Sequence, residues 1–328
     1  MRVTLVDSRS LSPRDAEDYD RFVADARDGH YSQARMWSAL ATAGRPLLAR
    51  YFIARDDDKV VGAGLVLQPH ASILRAPVAK MERGPVCDDP ERVAGVARAF
   101  ARAARVRGIA RTTVMPYWSE DAVDAVERAL AEVRYRSVQE LDGAHTYTLR
   151  LAIGGTKSDA DVLAGSERKK LRSELKQAEK NGATVRTGTA DDVAVFARLY
   201  GDLMQRQGRA TKPRVWFDAL ARTIGESVSL FVVTHENEDV AAILIVRHGK
   251  QATFVMGASD ASRRPFTKMA PALMHAIRWA RDAGCEVFDL GGVPMPGDTD
   301  EKRVNIARFK YDFVTKPVRL VAEHSRWL

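Results

Sequence analysis

Cysteines, long apolar runs and a leader segment are scarce or missing in this sequence. Its two cysteines, Cys87 and Cys285, lie far apart and show neither metal-binding nor redox spacing, which is typical of a protein in a reducing cytoplasm. No stretch approaches the roughly 20 apolar residues of a membrane span. Residues 1–7 form no apolar leader and read as a strand. We therefore expect a soluble, cytoplasmic protein.

The common motifs of hydrolytic enzymes are also missing. The sequence has no Ser-His-Asp order, no Gly-x-Ser-x-Gly elbow and no His-Glu-x-x-His zinc helix. His275 has a suitable side chain for a general base, but it lies in a helical pattern, where a structural role is more common. His235 and His248 lie near predicted strand ends and are expected to be exposed. The sequence identifies no catalytic base, and we expect no metal or cofactor.

Composition favours a two-domain protein. A chain of 328 residues with 45% hydrophobic content can bury a large core, and its length favours two domains over one. The 51 basic and 43 acidic residues give a formal net charge of +8, with a sequence pI of about 9.5. This excess is too small and dispersed for a chromatin-type protein. It indicates either an anionic ligand or an arginine-rich solvated surface.

One pattern occurs twice along the chain: a hairpin, a strand, a helix and a strand. In the first half these elements are predicted at residues 47–54 with 60–67, 78–81, 90–106 and 110–115. In the second half they are predicted at residues 227–234 with 240–247, 251–256, 271–283 and 286–290. A duplication with so long a period predicts two similar α/β domains and not a solenoid of short repeats.

A polar, glycine-rich connector at residues 154–158 marks the predicted domain boundary. A strongly basic helix follows at residues 166–182, with Ser166 as the predicted N-cap and Asn181-Gly182 as the C-terminal stop. Its basic residues are Arg168, Lys169, Lys170, Arg172, Lys176 and Lys180. Such a helix face is either solvated or bound to phosphate.

The last part of the chain has the most informative order. A predicted helix at residues 271–283 is followed by a short buried strand that contains Asp289, and then by Gly291-Gly292. An acidic loop leads from there to Phe309-Lys310. The order places an acid, a flexible turn and a lysine around one possible cleft, which favours a transfer reaction.

This C-terminal order resembles that of the FemABX family, the aminoacyl-tRNA-dependent transferases built on two GNAT-like domains. The basic helix at residues 166–182 resembles the helix that opens the second domain of these proteins. In the first half the similar segments are Tyr31-Ser32-Gln33 with Trp37, Glu82-Arg83-Gly84-Pro85-Val86, and residues 112–117. Together these segments follow the family's order over nearly the whole chain.

The resemblance implies an α/β fold of two tandem GNAT-like domains with a central cleft. The domains are expected at residues 1–155 and 156–316, with residues 317–328 returning to the first domain through a strand at 318–321. The implied reaction moves an amino acid from aminoacyl-tRNA to an amine of a peptidoglycan precursor or of a peptide natural product. An aminoacyl ester is already activated, so such an enzyme must mainly align two substrates and stabilise an oxyanion. We expect a monomer that uses no cofactor.

The resemblance also implies the catalytic residues. Lys310, expected to be partly exposed at a helix end, would stabilise negative charge at the ester, with Phe309 beside it. Asp289 would either cap the glycine turn or orient the substrate amine. Gly291 and Gly292 would form a plain tight turn or let backbone amides approach a ligand, because glycine has no side chain in the way.

Further candidates concern the substrates. Lys212 and Arg214 lie where muropeptide-binding relatives carry a phosphate-contacting basic residue, although a lysine cannot grip a phosphate bidentately as arginine does. Apolar residues replace the polar and tyrosine groups of those relatives, which indicates either core packing or an altered acceptor pocket. These apolar residues are Met115, Phe254 and Met256. Contacts to tRNA or other phosphates are expected from Arg168, Lys169 and Arg172.

Two other functional classes remain open at this point. An acyl-CoA N-acetyltransferase has the same domain order, but its glycine-rich pyrophosphate loop is missing from residues 262–269, where Pro265 also removes a donor. The corresponding residues 86–90 of the first half are acidic. A non-catalytic nucleic-acid-binding module would place basic and aromatic residues on strands, whereas the basic residues here lie mainly on predicted helices.

Overall fold

The protein consists of two compact units. The structure, a computed structural model, describes residues 1–70, 77–138, 146–156 and 158–328, except for the side chains of residues 302, 303, 305 and 306. The N-terminal unit comprises Met1–Thr146 with Val318–Leu328, and the C-terminal unit comprises Tyr147–Pro317. Within the described residues, every helix is too short or too polar to span a membrane.

The N-terminal unit begins with a strand and two helices and continues into the first copy of the repeated pattern. Its elements are β1 (Arg2–Asp7), α1 (Pro13–Asp25), α2 (Ser38–Thr42), β2 (Leu47–Asp56), β3 (Lys59–Pro69), β4 (Val78–Met81), β5 (Val86–Cys87), α3 (Val93–Val106), β6 (Arg111–Val114), α4 (Val123–Glu132) and β7 (Arg136–Ser137).

The C-terminal unit contains the second copy. Its elements are β8 (Tyr147–Ala152), α5 (Asp159–Val162), α6 (Lys169–Lys180), β9 (Thr184–Thr187), α7 (Val193–Arg206), α8 (Arg214–Thr223), β10 (Val228–His235), β11 (Glu238–His248), β12 (Gln251–Ser259), α9 (Met269–Asp282), β13 (Val287–Val293) and α10 (Glu301–Tyr311). The final segment adds β14 (Val318–Arg319) and β15 (His324–Trp327).

The N-terminal sheet has the strand order β1-β2-β3-β4-β6-β15-β7, with β5 paired to β3. The hairpin β2–β3 turns at Asp57, whose φ of 51° suits a tight hairpin turn. Strands β4 and β6 are parallel and are connected through α3. Helix α3 buries one face, which includes Val96, Phe100 and Ala104, in the core of this unit.

The C-terminal unit repeats this arrangement, with the strand order β8-β13-β12-β11-β10-β9. The hairpin β10–β11 turns at Glu236-Asn237, both with positive φ, and the parallel pair β12–β13 is connected through α9. Residues 240–246 of β11 are fully buried because α7 and α9 both pack on this strand. The predicted order of hairpin, strand, helix and strand is therefore confirmed in both halves.

Some predicted boundaries and one cap were wrong. The division between the units falls after Thr146 and not near residue 155, because β8 pairs with β13 and so belongs to the C-terminal sheet. Ser166 does not cap α6, because residues 166–168 form a short 3-10 turn and Arg168 is the N-cap of α6, without a side-chain hydrogen bond. The C-terminal stop is as predicted, since Gly182 has a φ of 72° after the helix ends.

The predicted strand at residues 318–321 is shorter and is followed by a second strand. Val318–Arg319 form β14, while His324–Trp327 form β15, which lies between β6 and β7 in antiparallel pairing. Arg319 donates to Asp124 and Glu127 at 2.7 and 2.9 Å. These contacts lie within the N-terminal unit.

Candidate active site

The candidate site lies in the C-terminal unit where β12 and β13 stop pairing. The two strands are paired from Gln251 with Val287 to Thr253 with Asp289, and both continue beyond this point. On its other edge, β13 has a register shift against β8 between Asp289 and Gly292. A bulge of this kind redirects the strand and releases backbone groups for other contacts.

Gly291 allows the bulge to form. Its φ is 77°, and a Cβ atom at this position would lie 2.9 Å from the carbonyl oxygen of Phe254. Because other residues rarely adopt this φ and a side chain would clash with a backbone atom, only glycine fits without a shift. The same added atom would lie 3.6 Å from the Nζ atom of Lys310, so Gly291 borders the lysine directly.

Asp289 is fully buried and holds the bulge in place. Its Oδ1 atom accepts hydrogen bonds from the Gly291 N–H at 2.7 Å and from the Thr148 hydroxyl at 2.5 Å. The Nε atom of Arg150 donates to Oδ2 at 3.3 Å. The sequence left two roles open for Asp289, a cap on the glycine turn or a group that orients the substrate amine. These contacts are those of a cap on the glycine turn.

Lys310 is buried, with an exposed fraction of 8%, and so differs from the partly exposed lysine that the sequence predicts. It lies in the last turn of α10 and donates to the carbonyl oxygen of Gly292 at 2.8 Å. Its ammonium also lies 5.5 Å from the centre of the Phe254 ring, a cation–π distance. Among the described side chains, no carboxylate lies within 4.0 Å of this ammonium.

Burial has a clear electrostatic effect on this lysine. Loss of hydration lowers the pKa of Lys310 to about 8, and the carboxylate of Asp289 opposes this shift by raising the pKa. The side chain is therefore mostly charged at neutral pH but close to its titration range. A buried cation with a single carbonyl acceptor retains donors for a ligand, because an ammonium group has three N–H bonds.

Of the aromatic and apolar candidates, Phe254 and Phe309 pack together beside Lys310, whereas Met115 lies in the other unit. The rings of Phe254 and Phe309 meet edge to face with centroids 6.0 Å apart. Phe254 is almost fully buried, whereas Met256, two residues further along β12, is half-buried. Met115 is fully buried in the N-terminal unit and donates its backbone N–H to the carbonyl of Gly84, which is a core position of that unit.

Lys212 and Arg214 lie at the start of α8 and border a cavity of the C-terminal unit whose lining does not include Lys310. This cavity has a volume of about 600 Å³, and its lining includes Thr211 and Phe217. The Nζ atom of Lys212 lies 5.7 Å from the centre of the Trp216 ring. The phosphate-contacting role of this pair stays a prediction.

Two of the three residues expected to contact phosphate, Arg168 just before α6 and Arg172 within it, make hydrogen bonds inside the protein. Arg168 donates to the backbone carbonyls of Phe313 at 3.0 Å and Ala164 at 2.7 Å. Arg172 donates to the carbonyls of Leu163 and Gly165 at 2.6 and 2.7 Å. Lys169 is exposed. The two arginines thus stabilise neighbouring loops, a role that the sequence did not predict.

An internal carboxylate lies beside the start of α9, where an acetyltransferase would bind pyrophosphate. Glu174 of α6 accepts hydrogen bonds from the N–H and the hydroxyl of Thr267, at 3.1 and 2.6 Å. The neighbouring Arg264 pairs with Glu236 and Glu238 at 2.8 and 2.7 Å. Thr267 and Arg264 of this segment are therefore engaged by carboxylates of the protein itself.

The corresponding start of α3 in the N-terminal unit is also acidic. Asp89 accepts a hydrogen bond from the N–H of Glu91 at 2.8 Å, and Asp88 pairs with Lys59 at 3.2 Å. A carboxylate in the position of a phosphate repels a second anion. A carboxylate therefore lies at the start of α3, as one does beside the start of α9.

The motifs at residues 31–37 and 82–86 of the first half have a structural role, since hydrogen bonds of Gln33 connect them to β3. Gln33 is fully buried; it donates to the carbonyl of Glu82 and accepts the N–H of Leu65 at 2.7 Å. A Cβ atom on Gly84 would lie 2.6 Å from the Gln33 side chain, so a larger residue there would displace this hydrogen-bonded glutamine. These residues join the turn to β3.

The histidines lie outside the Lys310 group. His275 is half-buried on α9, where its ring centre is 5.2 Å from that of Phe231. Burial lowers the pKa of His275, and Arg278 lowers it further. The expectation that His235 is exposed was wrong, because its exposed fraction is 6% and its ring packs on Phe266. Within the described residues, no group of three or more His, Cys, Asp and Glu side chains is arranged to hold a metal ion.

Comparison with known sequences supports a transferase fold. Residues 165–303 match the model of the family described as an acetyltransferase (GNAT) domain, a range that contains Asp289 but ends before Lys310. Over 150 residues the chain is 24% identical to the UDP-N-acetylmuramoylpentapeptide-lysine N(6)-alanyltransferase of Weissella viridescens. This match covers 44% of the chain and 42% of that relative, so it spans less than half of the relative's length.

Solved structures match over the whole chain. A crystal structure of FemX has a TM-score of 0.82 at 17% identity and covers 100% of this chain and 98% of its own. A tandem GNAT protein from the clavulanic acid biosynthesis pathway has a TM-score of 0.58 at 12% identity, covering 99% and 98%. The predicted α/β fold of two tandem GNAT-like domains is confirmed. The chain is thus similar in fold to FemX over its whole length, and similar in sequence to the Weissella alanyltransferase over 150 residues.

Proposed function

We propose that this chain, whose assignment to the FemABX family the comparisons support, is an aminoacyltransferase that forms a peptide bond. Its donor would be aminoacyl-tRNA, and its acceptor an amine of a peptidoglycan precursor or of a peptide natural product. The Weissella relative is named as an alanyltransferase of a muramoylpentapeptide-lysine, which favours an amine acceptor. Use of charged tRNA would place the reaction in the cytoplasm.

The observation that carries this proposal is the buried ammonium of Lys310. It is held under the Phe254 ring by one hydrogen bond, to the Gly292 carbonyl at 2.8 Å. Burying a cation costs free energy, and this cost is offset when negative charge develops beside it. A preformed, water-poor donor aimed at a developing oxyanion is typically the largest catalytic contribution in acyl transfer.

The proposed reaction needs no enzyme nucleophile because the aminoacyl ester is already activated. The acceptor nitrogen attacks the ester carbonyl carbon and forms the C–N bond, while the carbonyl electron pair moves onto oxygen. Lys310 stabilises this oxyanion. On collapse the C–O bond to the terminal ribose breaks, and the ribose oxygen takes the proton that leaves the acceptor nitrogen. Charge and atoms balance without a metal or a cofactor.

Asp289 acts as a positioning residue in this proposal. It fixes the bulge through the Gly291 N–H and the Thr148 hydroxyl. The bulge in turn presents the Gly292 carbonyl that orients Lys310. Because both oxygens of Asp289 are already engaged within the protein, a role as general base is not part of the proposal.

An acyl-CoA donor is disfavoured by the contacts at the start of α9. A CoA pyrophosphate would have to displace the Glu174 carboxylate from Thr267 and separate Arg264 from two glutamates. Without that displacement, the like charges would repel the incoming anion. The proposed donor needs no pyrophosphate cradle.

The acceptor is proposed to lie along the apolar side of this site. The half-buried Met256 offers an apolar surface on β12, beside the almost fully buried Phe254. Lys212 and Arg214 provide positive charge at the separate cavity beside α8. This combination suits a peptide with an apolar portion and an anionic group.

Donor binding can be tested by calorimetry with a charged tRNA and with acetyl-CoA. We expect the tRNA to bind with an affinity that falls steeply as salt is raised, since phosphate contacts release counterions. Acetyl-CoA should show no stoichiometric binding. If acetyl-CoA binds at one site per chain while charged tRNA does not, the acetyltransferase alternative replaces this proposal.

A further inference from the structure

The exposed face of α3 forms a groove lined by arginines, in the N-terminal unit and outside the candidate active site. The groove lies between α3 and the start of β1 and has a volume of about 480 Å³. Arg98, Arg102 and Arg107 are its charged side chains, and Gly95, Ala99 and Ala103 line it between them. We call this surface the α3 groove.

Two of these arginines have no internal role among the described residues. Neither Arg98 nor Arg102 makes a hydrogen bond or an ion pair there, and both are exposed. Other arginines of the same region are engaged: Arg92 pairs with Asp56 at 3.3 Å, and Arg107 donates to the carbonyl of Leu5. Among the described side chains, these two guanidinium groups on one face of α3 therefore have no partner.

The spacing of these two arginines suits a chain of phosphates. Positions four apart lie on the same face of a helix and about 6 Å apart along its axis. A guanidinium group binds a phosphate bidentately through its planar fork. Two such groups one turn apart can bind successive phosphates of one nucleic-acid strand.

The floor of the groove also favours a ligand that approaches closely. Gly95 has an ordinary helical backbone, and a Cβ atom there would meet only the Cε atom of Met1, at 3.8 Å. Internal packing therefore does not require glycine, although glycine in a helix interior lowers stability relative to alanine. With Ala99 and Ala103 it keeps the space between the arginines open.

From these observations we propose that the α3 groove binds the phosphate backbone of the tRNA donor, an inference that rests on the proposed function. The alternative ligand is an anionic membrane surface. A surface that binds a membrane usually carries bulky aromatic residues or leucines around its basic residues. Three of the six apolar residues that line this groove are Gly95, Ala99 and Ala103, and the other three, Met1, Val3 and Val106, include neither an aromatic residue nor a leucine. A concave, arginine-lined surface with glycine and alanine between the arginines fits a polynucleotide strand better than a bilayer.

The test uses the double variant Arg98→Gln/Arg102→Gln of the full chain and uncharged tRNA, with fluorescence anisotropy at several salt concentrations. Neutralising two phosphate contacts should weaken binding and reduce the slope of log K against log salt by about 1.5. Arg98→Lys/Arg102→Lys should restore most of the slope. The matched control is Arg14→Gln/Arg21→Gln, which removes the same charge from α1, where both arginines pair with acidic residues; its slope should equal that of the wild type.

Each outcome has a separate meaning. If the wild-type protein binds tRNA and the Arg98/Arg102 variant has an unchanged slope, this inference is wrong while the proposed function stands. If the variant loses binding to phosphatidylglycerol vesicles but keeps the tRNA slope, the groove is a membrane surface and the inference is again wrong. If the wild-type protein binds no tRNA at any salt concentration, the inference and the proposed function both fall.

Discussion

Replacing Lys310 by methionine should make the protein more stable at neutral pH and much less active. Methionine has a similar length and is apolar, so it fills the site without a buried charge. The pKa of Lys310 is lowered from 10.5 to about 8 by burial. At 1.36 kcal/mol per pKa unit, this shift corresponds to about 3 kcal/mol of lost stability while the lysine is charged. The variant also loses the hydrogen bond to Gly292, which lowers its free energy of unfolding by about 1–2 kcal/mol and offsets part of this gain.

The pH dependence gives a sharper test than a single stability value. Between pH 8 and 10.5 the unfolded chain still binds the proton of this lysine and the folded protein does not, so the free energy of unfolding rises with pH. The wild-type protein should therefore gain about 2–3 kcal/mol relative to Lys310→Met between pH 7 and pH 10. The variant should be more stable than the wild type by about 1–2 kcal/mol at pH 7 and lose this advantage by pH 10.

The assay combines urea denaturation at pH 7, 8.5 and 10 with single-turnover transfer at saturating charged tRNA. Turnover of Lys310→Met should fall by about 10²-fold or more, because an oxyanion-stabilising donor is removed. A stability difference that stays constant with pH would refute the lowered pKa. Full turnover in the variant would remove Lys310 from the mechanism.

The remaining predictions concern the bulge that holds Lys310. Asp289→Asn should lower the free energy of unfolding by about 1–3 kcal/mol, because the side chain facing Arg150 loses its charge. The same variant should move the alkaline fall in turnover to lower pH, because Asp289 raises the pKa of Lys310. A pH–turnover profile and a urea titration check both effects, and an unmoved profile would contradict the electrostatic link. Gly291→Ala should cost more stability than the control Gly284→Ala in thermal melts, because both glycines have positive φ (77° and 78°) but only the first Cβ meets a backbone atom, at 2.9 Å. Equal losses would show that the close approach to Phe254 is unimportant.

Local sequence signals predicted most of the fold. The hairpin at residues 236–239 and the helix stop at Asn181-Gly182 depend on residues adjacent in the chain, where turn chemistry decides the backbone conformation. The Ser166 cap failed because a 3-10 turn comes before α6. The domain boundary was misplaced because pairing of β8 with β13 joins residues about 140 positions apart, as in the 141-residue separation of Thr148 and Asp289.

The candidate site was predicted mainly through resemblance. Phe254, Gly292 and Lys310 lie on three different elements, β12, β13 and α10. Their spacing in the sequence therefore does not indicate that they contact each other. The burial of Lys310 was missed because the apolar residues of α10 form no single face, which is the usual sign of a buried helix side. Partners such as Thr148 carry no sequence signal for a buried carboxylate.

The internal roles of two basic residues were also beyond sequence reasoning. Arg168 and Arg172 donate to backbone carbonyls, and an acceptor of this kind is present in every residue. A side chain that stabilises a loop therefore looks the same in sequence as one that binds phosphate. Arg168 and Arg172 differ from Arg98 and Arg102 only in their contacts, since the latter two have no partner within the part of the chain that the structure describes.

The most direct test of the central claim is a transfer assay in which mass spectrometry identifies the product. The wild-type protein is mixed with a tRNA charged with an isotope-labelled amino acid and with an amine acceptor, a muramoylpentapeptide precursor in one reaction and a free peptide in another. We expect one labelled residue to appear in amide linkage on an acceptor, without acetyl-CoA or added metal. Acetylation of the acceptor from acetyl-CoA, with no transfer from any charged tRNA, would contradict the account.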